Sequence, residues 1–203
     1  MSTQRRHWVT APRFTPLWGV LIGAVGGGIY WLGAQIWPTS IAVVLAMLAT
    51  ALPSAASGAG VGVGAGARAL PSELLGIVFT VLIKYSALMA LSAANLPYPL
   101  PANVALGLIM IAGQASSRAL AVSASKPVSY ADLGIALAVG FAPAALIGIP
   151  ALIGLAAAIA ARIGFIAYIR RSRPSVTASD LDLTQQLTEV CFYLGSLATW
   201  SYI

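Results

Sequence analysis

Long apolar segments separated by short connections make up most of the 203-residue chain. The first, 16–37, contains no charged residue and has tryptophans near both ends, as segments that end at a membrane interface do. The others cover 39–52, 74–94, 102–122, 133–169 and about 183–203. Because about 20 apolar residues cross a bilayer, the segment 133–169 is divided into two helices near Pro143, Gly148 and Pro150. The pattern predicts an all-α bundle of about seven transmembrane helices, with six as the alternative.

The positions of the basic residues favour seven spans over six. Basic side chains precede the first segment and occupy every second connection after it, whereas the connections between these are uncharged. By the positive-inside rule, this alternation predicts a cytoplasmic N-terminus. We therefore expect a cytoplasmic tail at 1–15 and a single transmembrane domain at 16–203. The basic residues concerned are Arg5, Arg6, Arg13, Arg68, Lys126, Arg170, Arg171 and Arg173.

The composition excludes a soluble protein. Hydrophobic residues make up 59% of the chain and charged residues 8%, with a mean hydropathy of +0.89, whereas a soluble domain carries about 25% charged residues. The net charge of +6 does not indicate nucleic-acid binding, because the basic residues stand at the ends of apolar segments. A single cysteine, Cys191, excludes an internal disulfide, and a single histidine, His7, argues against a histidine-based site.

Two basic residues lie inside apolar segments, where a charged side chain is unfavourable unless it has a structural or functional role. Lys84 stands in the middle of the third segment, where a charge costs about 3 kcal/mol on insertion scales. It either lines the bundle interior or binds an anionic ligand. Arg118 stands near the end of the fourth segment. It either anchors that segment at the membrane surface or binds a phosphate with its planar guanidinium group.

The polar stretch at the start of the last helix contains most of the carboxylates. Asp180, Asp182 and Glu189 are three of the five acidic residues, and they follow the basic cluster at 170–173. Asp182 and Gln185 have the spacing of a capping box, and Gln185 shares a helix face with Glu189, with Gln186 beside it. Carboxylates can hold a divalent cation and basic residues a phosphate. The alternative is a helix cap beside a juxtamembrane basic cluster.

Glycine is concentrated in two places. Gly19, Gly23 and Gly27 recur every four residues, which favours the close approach of another helix and also allows a homo-oligomer. The run 57–67 alternates glycine with small residues but lacks the Lys-Ser/Thr pair of a phosphate-binding loop. The second segment either ends at Leu52 or continues past Pro53 into this run.

Three stretches resemble one known family, in the right order along the chain. These are FTPLWGVLIGAVGGGIYWLGAQIWP at 14–38, LIKYSALMAL at 82–91 followed by SSRALAVS at 116–123, and TQQLTEVCFYLGSLA at 184–198. They resemble, respectively, the first F-P-L-x-G-x-x-x-G helix, the middle helices and the closing helix of the adenosylcobinamide-GDP ribazoletransferase, or cobalamin synthase, family.

The resemblance implies a multi-pass enzyme of the bacterial inner membrane that acts in cobalamin biosynthesis. Such an enzyme joins adenosylcobinamide-GDP to α-ribazole and releases GMP, with Mg²⁺ as cofactor. On this reading, the catalytic candidates are Asp180, Asp182, Lys84 and Arg118. Lys126, Gln185 and Gln186 are expected to bind ligand, and Asp180, Asp182 and Glu189 to hold the metal.

The chain departs from the family in one long segment. The family carries an acidic H-E-D-G-L-A-D-x-x-D-G motif after its second helix, where this chain reads PSAASGAGVGVGAGARALPSE. Pro53 replaces the histidine, and Glu73 is the first acidic residue that follows. Three explanations remain open: a decayed homologue, a change of coding frame, or a reduced site built from the remaining carboxylates. The alternative function is accordingly that of a non-enzymatic membrane protein, either a small carrier or a structural subunit.

Overall fold

The computed structural model describes residues 14–56, 71–94, 101–124, 129–172 and 176–200. Within these ranges the chain forms seven helices and no strand, so the predicted all-α class is confirmed. Lys126, Arg68, Arg173, most of the predicted N-terminal tail and the glycine run 57–67 lie outside the described residues. The helices are α1 (Thr15–Ile36), α2 (Thr39–Ala56), α3 (Pro71–Ala93), α4 (Ala102–Val122), α5 (Tyr130–Ile147), α6 (Ile149–Ser172) and α7 (Ala178–Trp200).

The distribution of apolar side chains is that of a membrane bundle. Five of the described helices, α1, α3, α4, α5 and α6, are long and apolar enough to cross a bilayer. The described apolar part of α2, Thr39–Ala51, is shorter, and α7 carries three carboxylates. Large apolar side chains such as Leu21, Ile36 and Leu146 point outward, whereas Lys84, Arg118 and Glu189 are buried. Because lipid cannot satisfy polar groups, this arrangement fits a bilayer rather than water.

Helix α4 is the centre of the bundle and packs closely against α1. The glycine face of α1 lies directly on its backbone, as predicted. A Cβ added at Gly19 would lie 2.6 Å from the carbonyl oxygen of Gln114, and one added at Gly23 would lie 2.6 Å from Cα of Ile111. At Gly27 the added atom would lie 2.9 Å from the carbonyl oxygen of Gly107. Only glycine permits this approach, so the glycine face is used within the chain.

The boundary between α5 and α6 falls at Gly148. This residue has a φ of 99°, which an L side chain rarely adopts, so glycine allows the turn between the two helices. Pro143, a second predicted breaking point, lies instead inside α5. The second segment continues past Pro53, because α2 ends at Ala56.

Helix α7 is capped by Thr177, five residues before the predicted cap at Asp182. The backbone N–H of Thr177 donates to Asp180 Oδ2 at 2.8 Å, and the hydroxyl of Thr177 donates to the same oxygen at 2.7 Å. The N–H of Asp180 in turn donates to the Thr177 hydroxyl at 3.3 Å. This reciprocal pattern is a capping box. The prediction of a capping box at Asp182 and Gln185 was therefore wrong, because both residues lie inside the helix.

Candidate active site between helices α3, α4 and α7

Three helices bring polar side chains to one point in the bundle. Lys84 comes from α3, Gln114 from α4, and Glu189 and Tyr193 from α7. Glu189 and Tyr193 are four residues apart and therefore lie on one face of α7. We call these four residues the Glu189 centre. The sequence alone placed Lys84 and Glu189 in separate roles, whereas the fold brings them together.

One carboxylate oxygen of Glu189 accepts all of the donors in this centre. Lys84 Nζ lies 2.6 Å from Glu189 Oε1, Gln114 Nε2 donates to it at 2.7 Å, and the Tyr193 hydroxyl donates to it at 2.9 Å. The Glu189 side chain is 1% exposed and that of Lys84 10%. A buried carboxylate is tolerated only when it is paired and hydrogen-bonded, and Oε1 meets both conditions.

The second oxygen of Glu189 is different. Among the described residues, neither Glu189 Oε2 nor Gln114 Oε1 has a hydrogen-bond partner. The orientation of the Gln114 amide follows from chemistry, because a carboxylate only accepts and Nε2 must face it. By contrast, buried hydroxyls nearby, including Ser116, Thr184 and Thr188, donate to carbonyls of their own helices. The two oxygens are therefore buried acceptors without a donor in the described part of the chain.

A cavity of about 420 Å³ opens beside the Glu189 centre. Its polar wall consists of Lys84, Gln114, Gln186 and Glu189, and its remaining wall is largely apolar and comes from α2 and α3. This volume lies within the range of small-molecule sites, about 300–1,000 Å³. The apolar part of the wall includes Val44, Met47, Leu48, Ala51, Val81 and Leu82.

Arg118 lies one helical turn from Gln114 on α4. It is 3% exposed, so it is a residue of the bundle interior rather than a surface anchor. Its charge acts on both Glu189 and Asp182. On α4, Gln114 is followed one turn later by Arg118. On α7, the residues that interact with them are Glu189 and, about two turns earlier in the sequence, Asp182. The polar groups thus form a track from the first turns of α7 to the Glu189 centre.

The three carboxylates expected to hold a metal do not act together. Among the described residues, no three His, Cys, Asp or Glu side chains are placed to hold a metal ion. Asp180 caps α7, Glu189 pairs with Lys84, and Asp182 is half-buried near Arg118. The predicted three-carboxylate set is therefore not assembled. Mg²⁺ can also bind through a single carboxylate together with substrate phosphates.

The two neighbouring glutamines of α7, Gln185 and Gln186, lie in different surroundings. Gln186 lines the cavity beside Glu189. Gln185 is buried on α7 outside the cavity wall. Lys84, expected to meet either the bundle interior or an anion, meets the carboxylate of Glu189.

Several contributing residues carried no assigned role in the sequence. Gln114 and Tyr193 belong to the centre, and their spacing of four residues from Arg118 and Glu189, respectively, is the signal that could have found them. Arg162 on α6 was also missed. Its Nη2 donates to the carbonyl oxygen of Ser123 at 2.7 Å, which ties α6 to the end of α4.

Fold and site together define a helical integral membrane protein with a buried polar centre and an adjoining small-molecule cavity. Three proteins named adenosylcobinamide-GDP ribazoletransferase are similar to the chain. Those of Shewanella frigidimarina and Leptothrix cholodnii are each 30% identical, and cover 93% and 95% of this chain and 84% and 86% of their own lengths. That of Ralstonia nicotianae is 29% identical over 94% of this chain and 85% of its own. The chain belongs to the adenosylcobinamide-GDP ribazoletransferase family, which confirms the resemblance. No protein-family model and no solved structure matches it.

Proposed function

We propose that this protein joins adenosylcobinamide-GDP to α-ribazole and releases GMP. A ribazole hydroxyl oxygen forms a bond to the phosphorus that carries the corrinoid arm. The bond from that phosphorus to the bridging oxygen breaks, GMP leaves with the bridging oxygen, and the hydroxyl proton is released. Positioning and charge stabilisation supply most of the catalysis in reactions of this kind.

The Glu189 centre is the observation that carries this proposal. A family relationship alone explains a bundle, but it does not explain a buried ion pair, two acceptors without partners and a cavity at the same place. Ionisable groups inside a membrane protein are costly and mark functional sites by default. Their presence in a family of transferases supports a substrate site.

Arg118 is the proposed phosphate contact. Its guanidinium group can make two parallel hydrogen bonds to a phosphate, and it interacts electrostatically with both Glu189 and Asp182. Lys126, in the connection after α4, is proposed as a second phosphate contact. The exposed Arg170 and Arg171 at the end of α6 stand in the connection that leads to α7, and they can attract an anionic substrate to this end of the bundle.

Mg²⁺ is proposed as cofactor, held by Asp182 together with oxygens of the diphosphate substrate. When bound, it would neutralise charge on the transferred group. We also propose that the protein lies in a bacterial inner membrane with its N-terminus in the cytoplasm, where a nucleotide-activated substrate is available.

Turnover by the purified protein in liposomes tests the function. The protein is supplied with adenosylcobinamide-GDP, α-ribazole and Mg²⁺, and the corrinoid product and GMP are quantified. We expect the two products in equal amounts. Asp182→Asn should lower the rate at least tenfold. Asp132→Asn, which changes an exposed carboxylate at the start of α5, should leave it unchanged.

A lack of product with every divalent metal would favour the second candidate, a non-enzymatic membrane protein on a transferase scaffold. The observation that favours this alternative is the failure of Asp180, Asp182 and Glu189 to gather into one metal-binding group.

A further inference from the structure

We infer that the cavity beside the Glu189 centre binds the uncharged acceptor of the reaction, an aromatic nucleoside such as α-ribazole. On this inference, its ring lies against α2 and α3 and its hydroxyl groups donate to Glu189 Oε2 and Gln114 Oε1. The inference rests on the proposed function and assigns one of the two substrates to a specific place. Four independent features of the cavity support it.

The first feature is size. A volume of about 420 Å³ suits a nucleoside. A corrinoid carrying a guanosine diphosphate is far too large for it. Of the two substrates in the family name, only the ribazole fits this volume.

The second feature is charge. The positive charge of Lys84 is compensated by Glu189 at 2.6 Å, so the polar wall of the cavity carries no net charge. A diphosphate placed there would face a carboxylate, and like charges brought together in a water-poor site repel strongly. Arg118 lies outside the cavity wall, one turn further along α4. The cavity therefore excludes the anionic substrate and accepts a neutral one.

The third feature is the pair of acceptors. Within the described residues, Glu189 Oε2 and Gln114 Oε1 are buried without a donor, and a buried acceptor is destabilising until a donor reaches it. The hydroxyls of Thr50 and Thr80 also line the cavity, but they donate to the carbonyls of Met47 and Gly76. A ribose presents neighbouring hydroxyl donors, and acidic side chains accept from such hydroxyls in nucleotide-binding proteins.

The fourth feature is the apolar wall. Val44, Met47 and Leu48 on α2 and Val81 on α3 face the polar side of the cavity. Met is flexible and makes favourable contacts with aromatic rings. An aromatic base can thus lie against this wall while its sugar faces the acceptors, which orients the nucleoside. Arg118 and Asp182 then lie beyond the sugar, where a phosphate would meet the hydroxyl.

Direct binding tests the inference without requiring turnover. Radiolabelled α-ribazole is titrated, in the absence of the other substrate, onto the full chain in lipid nanodiscs. Ala51→Phe and Val81→Phe fill the cavity from two different helices without changing charge. Ala156→Phe and Val25→Phe are the matched controls, because these residues are exposed on α6 and α1 and lie outside the wall. We expect the cavity variants to weaken binding at least tenfold and the controls to stay within twofold of the wild type.

Competition on the wild-type chain supplies a second readout that does not depend on the variants folding. Benzimidazole, a neutral aromatic base, should displace α-ribazole, and GMP should not. Saturable binding that survives in both cavity variants, absence of saturable binding, or displacement by GMP alone would each overturn the inference. A co-purifying lipid that is lost in Ala51→Phe, with no binding of α-ribazole, would also overturn it. Turnover with unchanged binding in the cavity variants would sink the inference but leave the proposed function standing.

Discussion

Lys84 on α3 and Glu189 on α7 form an ion pair of 2.6 Å in the interior of a bundle whose outer surface is apolar. The pair joins α3 to α7, and Glu189 Oε1, which Lys84 contacts, also accepts hydrogen bonds from Gln114 and Tyr193. Two charges that would each be costly in lipid thus support one another. The second oxygen, Oε2, has no hydrogen-bond partner among the described residues.

Removing one charge of this pair should destabilise the protein more than removing both charges. Lys84→Met leaves a buried carboxylate without its counter-charge and should lower the free energy of unfolding by about 3 kcal/mol. The double variant Lys84→Met with Glu189→Gln is uncharged at this point and should recover more than half of that loss. Thermal unfolding of the three proteins in detergent measures the effect. A double variant that is no more stable than Lys84→Met would contradict this coupling.

The α1–α4 contact should not tolerate a single added methyl group at its centre. Gly23→Ala places Cβ within 2.6 Å of the backbone of Ile111, so the helices must separate, at a cost of about 1–3 kcal/mol. Gly28→Ala is the matched control, because an added Cβ there meets nothing within 4 Å. We expect a clearly lower melting temperature for the first variant only. Equal melting temperatures would mean that α1 is not packed on α4 as described.

Asp180 should prove structural rather than catalytic. Its carboxylate accepts two hydrogen bonds from Thr177 at the start of α7. Asp180→Ala should therefore destabilise the protein by about 1 kcal/mol, and it should reduce the turnover number only as far as it reduces the folded fraction. Kinetics corrected for the folded fraction provide the check. A turnover loss well beyond that correction would return Asp180 to the list of catalytic candidates.

Arg118 should act on the anionic substrate rather than on the nucleoside. Arg118→Lys keeps the charge but loses the fork of paired donors, so the KM for adenosylcobinamide-GDP should rise about tenfold or more. The KM for α-ribazole should change little. Arg162→Lys is the control, since Arg162 contacts the Ser123 carbonyl and a lysine can still donate to it. A rise confined to the KM for α-ribazole would contradict this role.

The sequence predicted the helices better than the site. The apolar segments and the glycines of α1 determine where helices form and which faces approach closely, so the division at Gly148 and the bounds of α4 were confirmed. The start of α7 was missed because two residue pairs, Thr177 with Asp180 and Asp182 with Gln185, both have the spacing of a capping box. Spacing along the sequence alone does not show which pair caps the helix.

The contacts of the Glu189 centre could not be read from spacing. Lys84, Gln114 and Glu189 come from three helices, and which faces meet depends on how the helices pack. Sequence reasoning therefore proposed three carboxylates as one metal group, whereas packing gives each of them a different neighbour. What the sequence did provide was the short list of polar residues in an apolar chain, and most of the site comes from that list.

Transfer catalysed by the wild type and by the uncharged double variant, Lys84→Met with Glu189→Gln, tests the central claim most directly. Both proteins are reconstituted with adenosylcobinamide-GDP, α-ribazole and Mg²⁺, and GMP release is followed together with the corrinoid product. The wild type should form both in equal amounts. The double variant should be at least tenfold slower, since a hydrogen bond to a charged acceptor contributes about 1.5–3 kcal/mol. A wild type that forms neither product, or a folded double variant that works at the wild-type rate, would contradict the account.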